Sequence, residues 1–185
     1  MSKGYNGQLA MPMLSEITCP NGHLFRPKKD EPPAGCRVCG IELVDWARVW
    51  VKDADDWAYT FSLLRGESLR QEFWNTEIDA EALASCPSSN ELLARLARRR
   101  LQQSVSKVYG TGPDARPYRD GYQTPKQGNI LYYAQHSLAC CCRRCMRYWH
   151  GIPYGRPLDD QELDYFAALI THYVDERLGG LGSGR

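Results

Sequence analysis

Hydrophobic positions recur with helical spacing in three stretches, and the residues flanking each stretch mark its start. Trp57, Phe61 and Leu64 fall at i, i+4 and i+7, and Asp53 or Asp55 stands ready to accept from first-turn amides. Ser88 and Glu91 form a capping box ahead of Leu92, Leu93, Leu96 and Leu101, with Arg95, Arg98, Arg99 and Arg100 on the other sides of that helix. The third pattern is the clearest. Asp159 caps, Glu162 closes the box and Leu158 staples onto Leu163, while Phe166, Leu169, Ile170, Tyr173 and Val174 build a buried face that ends at Gly179.

Elsewhere the pattern is irregular. Residues 1–15 have no periodicity and read as a disordered leader, and 179–185 read as a flexible, Gly-rich tail. Between them the chain divides into a ribbon module at 16–45 and a helical unit at 46–178 that contains a Pro/Gly-rich loop at 110–128. No internal repeat is present. The expected fold is α+β, mainly helical and irregular, with a small zinc ribbon appended to a helical, zinc-stapled domain and a separate core in each.

Cysteine use sharpens this picture. There is no apolar leader with a small-residue cleavage site and no run approaching the ~18 apolar residues of a membrane span, which predicts a soluble cytoplasmic protein without a membrane segment. Eight cysteines in a reducing compartment stay thiols unless metal-bound, and seven of them fall in two clusters with His interspersed. In the first, Cys19-Pro-Asn-Gly-His23 is followed by Cys36-Arg-Val-Cys39-Gly40. Zinc takes four soft or borderline ligands in a tetrahedron, and two tight turns each present two of them. So short a segment cannot bury a core of its own, so the metal supplies its folding energy.

The second cluster places His136, Cys140, Cys141, Cys142, Cys145 and His150 within a few turns of chain. Cys142 and Cys145 form a C-x2-C knuckle, His150 follows on a short helix, and His136 or Cys141 supplies the fourth ligand of a second structural zinc. The competing arrangement is a three-ligand site whose open position activates water. An iron–sulfur cluster ranks last, because consecutive cysteines cannot all point at one cluster. Two zinc ions are therefore expected.

Asp120-Gly-Tyr-Gln-Thr-Pro125, Tyr133-Ala-Gln-His136, Cys141-Cys-Arg-Arg-Cys145 and Trp149-His-Gly-Ile-Pro-Tyr-Gly-Arg-Pro-Leu158 together resemble a bacterial and phage family, domain of unknown function 4186. The resemblance spans roughly 98–174, and the ribbon resembles an extension carried by some members. It implies a family without a mechanism. Members usually have Thr at the position of Cys140 and Lys at that of Tyr122, which implies that Cys140 is not a ligand.

Two further features bear on function. Asp120, Gln123 and His136 are close in sequence, and a carboxylate beside a His is a minimal kit for general-base or metal-assisted hydrolysis. No Ser/His/Asp, H-E-x-x-H or phosphate-loop signature accompanies them, and a turn Asp or a metal-orienting carboxylate explains them as well. The net charge of +1 hides an asymmetry, since residues 95–147 carry eleven Lys/Arg against two acids, a local +9. Arg98, Arg99, Arg100, Arg143, Arg144 and Arg147, interleaved with tyrosines, suit a DNA or RNA surface. The expected function is a nucleic-acid-associated accessory or binding protein with two structural zincs. The alternatives are a metal-dependent hydrolase or nuclease using His136 and Asp120, and an adaptor whose ribbon docks a larger protein partner.

Overall fold

A computed structural model describes residues 16–26, 35–110 and 112–180. The expected leader, and the tail from 181 onward, lie outside the described residues. The first sheet is an antiparallel pair, β1 (Ile17–Thr18) and β2 (Leu24–Phe25), with Ile17 opposite Phe25. Five helices follow: α1 (Trp46–Trp50), α2 (Trp57–Arg65), α3 (Ser68–Asn75), α4 (Ala80–Ala84) and α5 (Asn90–Gln103). A second pair, β3 (Val108–Tyr109) and β4 (Arg116–Pro117), frames the Pro/Gly-rich loop. The chain then forms α6 (Ile130–Ser137), α7 (Arg143–His150) and α8 (Asp160–Leu178). The protein is thus α+β and mainly helical, with a small Cys/His ribbon at its N-terminal side.

α8 organises the core. Its capping box forms as the sequence predicts: the Asp159 carboxylate accepts from the Glu162 amide at 2.9 Å, and Glu162 accepts from the Asp159 amide at 3.1 Å. Gly179 closes the helix at φ +76°, a conformation that Gly adopts without strain. α5 packs along α8, while α6 lies against both α8 and α3.

The other two helix starts differ from the sequence reading. α2 begins after Asp56, and the Asp53 carboxylate accepts from the Asp55 amide in the preceding turn. Ser89 caps α5 in place of Ser88, accepting from the Leu92 amide. The buried face of α5 is therefore Leu93, Ala97 and Leu101, and Leu96 points outward. Either serine can cap locally; packing on α8 selects the register.

The ribbon shares packing with the helical body, although separate cores were expected. Ile17 is buried in the same cluster as Phe61 and Leu64 and bridges Glu67, while the Ser68 amide donates to Glu16 O and the Thr18 amide to Gly66 O. Strand β1 thus finds backbone partners in the turn between α2 and α3.

Candidate metal centres

The first centre is built by two turns. Gly22 (φ +79°) and Gly40 (φ +71°) take left-handed conformations that let each turn close on itself. Cys19 accepts the Gly22 amide in one turn, and Cys36 accepts the Gly40 amide in the other. This brings Cys19, His23, Cys36 and Cys39 together, their ligand atoms all within 4.8 Å of one another. His23 Nδ1 lies 3.5 Å from Cys19 Sγ and 3.8 Å from Cys36 Sγ, and the Cys19 and Cys39 sulfurs are 4.0 Å apart. A tetrahedral ion with bonds of about 2.0–2.3 Å separates its ligand atoms by about 3.3–3.8 Å, so the set fits one ion with little adjustment.

Backbone amides complete the sulfur environment, His23 N–H donating to Cys19 Sγ and Val38 N–H to Cys36 Sγ. The Ile41 amide is the main influence that pulls Cys39 down to about 6, which favours the thiolate form that a metal ion requires.

The second centre lies where α6 turns into α7. Ala139 takes a left-handed φ of +53°, folding the chain back so that Cys141 and Cys142 approach Cys145 one turn into α7. Cys145 Sγ is 3.7 Å from Cys141 Sγ and 3.5 Å from Cys142 Sγ, again tetrahedral spacing, and all three residues are buried. As free thiols they hold their protons: the Cys141 hydrogen bond and burial push Cys142 up to about 12. An ion must therefore displace protons on binding.

Sequence reasoning missed the residues that surround this cluster. Arg70 of α3 is fully buried and aims its guanidinium at the thiols, Nη2 3.1 Å from Cys145 Sγ and Nη1 3.8 Å from Cys141 Sγ. Its Nη1 also donates to His136 O at 2.6 Å and its Nε to Glu67 Oε2 at 3.0 Å. The same carboxylate oxygen accepts from Trp149 Nε1. Burial pulls against the Arg70 charge, but Cys145, Glu67 and Cys141 outweigh it and hold the guanidinium protonated. A divalent ion on three thiolates would leave one negative charge beside the Arg70 guanidinium, which also pairs with the Glu67 carboxylate. The available signal was a charged residue at position 70 on the stripe that continues through Phe73 and Trp74.

The two histidines behave differently from expectation. The structure does not bring His150 to the thiols, because its Nε2 faces Leu138 O at 2.9 Å and its Nδ1 faces Tyr165 OH at 3.2 Å. His136 is also outside the three-thiol group. It stacks on Phe73 at 4.4 Å and directs Nε2 to Pro125 O at 3.1 Å, leaving a shielded Nδ1 without a partner. Burial is the main force holding both imidazoles neutral, with each pulled down to about 4. Cys140 is buried but does not join the group.

The polar loop residues work on α7. Gln123 Oε1 accepts from the Arg143 amide at 3.0 Å, and Asp120 Oδ1 accepts from the Arg144 amide at 3.1 Å, satisfying two donors of the first turn. Thr124 donates its hydroxyl to Cys141 O. Asp120 and His136 thus face different hydrogen-bond partners.

Of the six arginines, Arg143 is buried, its Nη2 donating to the carbonyls of Pro153 and Arg156, and it cannot meet a phosphate. Arg98 pairs with Asp160 and Asp164 and so ties α5 to α8. Arg100 is half-buried, donating to Gln123 O and lying over the Tyr132 ring. Arg99 is exposed beside a separate groove with Pro87 and Leu96. Arg144 and Arg147 reach the surface of α7.

Fold and clusters define a helical protein with two Cys-rich groups able to hold metal ions and no disulfide among its eight cysteines. Residues 58–175 match the model of the domain of unknown function DUF4186, so the chain belongs to that family, as the motifs implied. No solved structure gives a significant match. Among the described residues no helix is long and apolar enough to cross a membrane.

Proposed function

We propose that this is a nucleic-acid-associated accessory or binding protein whose two metal ions are structural zincs. The observation that carries the reading is the pair of arginines left on the surface of α7. Arg147 meets no carboxylate within ion-pair range among the described residues and lies over the Tyr154 ring at 5.0 Å, with Arg144 one turn before it. An exposed guanidinium beside an aromatic ring, with a second one turn away, suits a polyanion.

Zinc is the ion that the donor sets favour, three thiols with an imidazole in one and three buried thiols in the other. His136 completes the second set better than His150 does, because its Nδ1 is shielded and unpartnered and its other nitrogen faces a carbonyl, as metal-bound imidazoles require. The hydrolase alternative has less support, since Asp120 and Gln123 are committed to the first turn of α7.

The test is metal analysis followed by retention of DNA and RNA at low salt. Two zincs per chain are expected, with log affinity falling against log salt at about 0.7–0.9 per phosphate contacted. A zinc-loaded protein that retains neither DNA nor RNA would overturn the reading in favour of a protein-docking adaptor.

A further inference from the structure

We infer that the groove between α1 and α7 seats one unstacked nucleotide of a single-stranded nucleic acid, a step that rests on the nucleic-acid reading above. The groove has a volume of about 320 Å³ and is walled by Trp50, Arg144, Arg147, Tyr148 and Tyr154. That volume lies at the small end of the range for ligand pockets, about 300–1,000 Å³, and suits a single base with its phosphate.

Trp50 is the unusual wall. It is 42% exposed, whereas the other tryptophans of its aromatic row, Trp46 and Trp149, are half-buried and buried. Its ring is nevertheless held in place. Trp46 lies 5.5 Å away, and Gly151 passes so close that an added Cβ would stand 3.0 Å from the indole. A fixed, water-facing indole is a stacking platform, and every base offers a π-face to it.

The charged wall complements it. Arg144 and Arg147, spaced i and i+3, project from the same side of α7. Arg144 Nε has Asp120 at 3.5 Å, and Arg147 is free to take a phosphate oxygen. The Lys52 ammonium donates to Trp50 O and adds a cation beside the backbone of that tryptophan. A duplex keeps its base faces stacked and cannot offer one to Trp50, so rings and cations together select a single strand.

The test uses the zinc-loaded full chain and fluorescein-labelled 12-nucleotide oligo-dT and oligo-U, followed by fluorescence anisotropy, with a hairpin duplex and the free nucleoside monophosphates as comparisons. Single strands should bind more tightly than duplex. Trp50→Ala should weaken them roughly 5- to 150-fold, Arg147→Ala should reduce the salt slope by about 0.7–0.9, and Arg95→Ala, on α5, should change neither. If Trp50→Ala loses its fold, Arg147→Ala and a Tyr154→Leu variant carry the comparison. Equal binding of duplex and single strand with an indifferent Trp50 overturns the seat while the broader reading stands. A monophosphate that binds as tightly as the oligonucleotide makes this a mononucleotide site and likewise overturns it. Retention of no strand removes both.

Discussion

Arg70→Met, alone and together with Glu67→Gln, separates two roles of one buried guanidinium. Met keeps the length and apolar stem of Arg and deletes the charge. The Glu67 carboxylate, fully buried, is then left without its ion-pair partner, a loss that costs about 3–5 kcal/mol. That is a large share of a total stability of about 5–15 kcal/mol. The second change removes the stranded charge, so the double variant should regain about 2 kcal/mol or more of what the single one loses.

Metal affinity should not recover, because the N–H···S contacts to Cys145 and Cys141 remain absent. Charge-assisted hydrogen bonds contribute about 1.5–3 kcal/mol, which predicts a second-site affinity weaker by about 10- to 150-fold. Competition with a chromophoric zinc chelator reads the affinities, urea melts read the stability, and the first centre serves as an internal reference. A double variant that binds both ions with unchanged affinity refutes a role for the Arg70 N–H···S contacts in holding the ion. Failure of Glu67→Gln to restore stability refutes the stranded carboxylate.

Cys36→Ser should lower the zinc content from two to one per chain and also destabilise the helical body, because Ile17 joins its core; metal analysis with a thermal melt checks both. His136→Ala should remove the other zinc, and an unchanged count of two would show that the fourth position is filled otherwise. Asp120→Ala exposes one first-turn amide of α7 and should cost about 1 kcal/mol in a urea melt. For acid, His150 sits at about 4 in the folded protein against an ordinary 6.5. Between those values the unfolded chain binds a proton that the folded one refuses, so the contribution is complete above about pH 6.5 and lost as pH falls towards 4, about 3 kcal/mol in all. His150→Gln should flatten that slope of unfolding free energy against pH, and an unchanged slope would locate the acid sensitivity elsewhere.

The elements legible in the chain were those whose signals are local. The Asp159/Glu162 box, the α8 stripe and the Gly179 stop need only neighbouring residues, as do the two turns of the first centre, where Gly22 and Gly40 permit the closing conformation. Spacing along the chain therefore pointed to the Cys19, His23, Cys36 and Cys39 cluster and to the pairing of Cys142 with Cys145, while Cys141 stood only as an alternative to His136. Tertiary structure decided what spacing cannot encode. It chose Ser89 over Ser88 through the packing of α5 on α8, and it turned both nitrogens of His150 to Leu138 O and Tyr165 OH. It also buried Arg143 among carbonyls and brought Arg70, from a helix some 70 positions earlier, against two thiols. A charged side chain reads as solvent-facing until its partners are assembled around it. Burying Arg70 is favourable only once Glu67, His136 O and the sulfurs have converged, and that convergence belongs to the packing of α3 on α6.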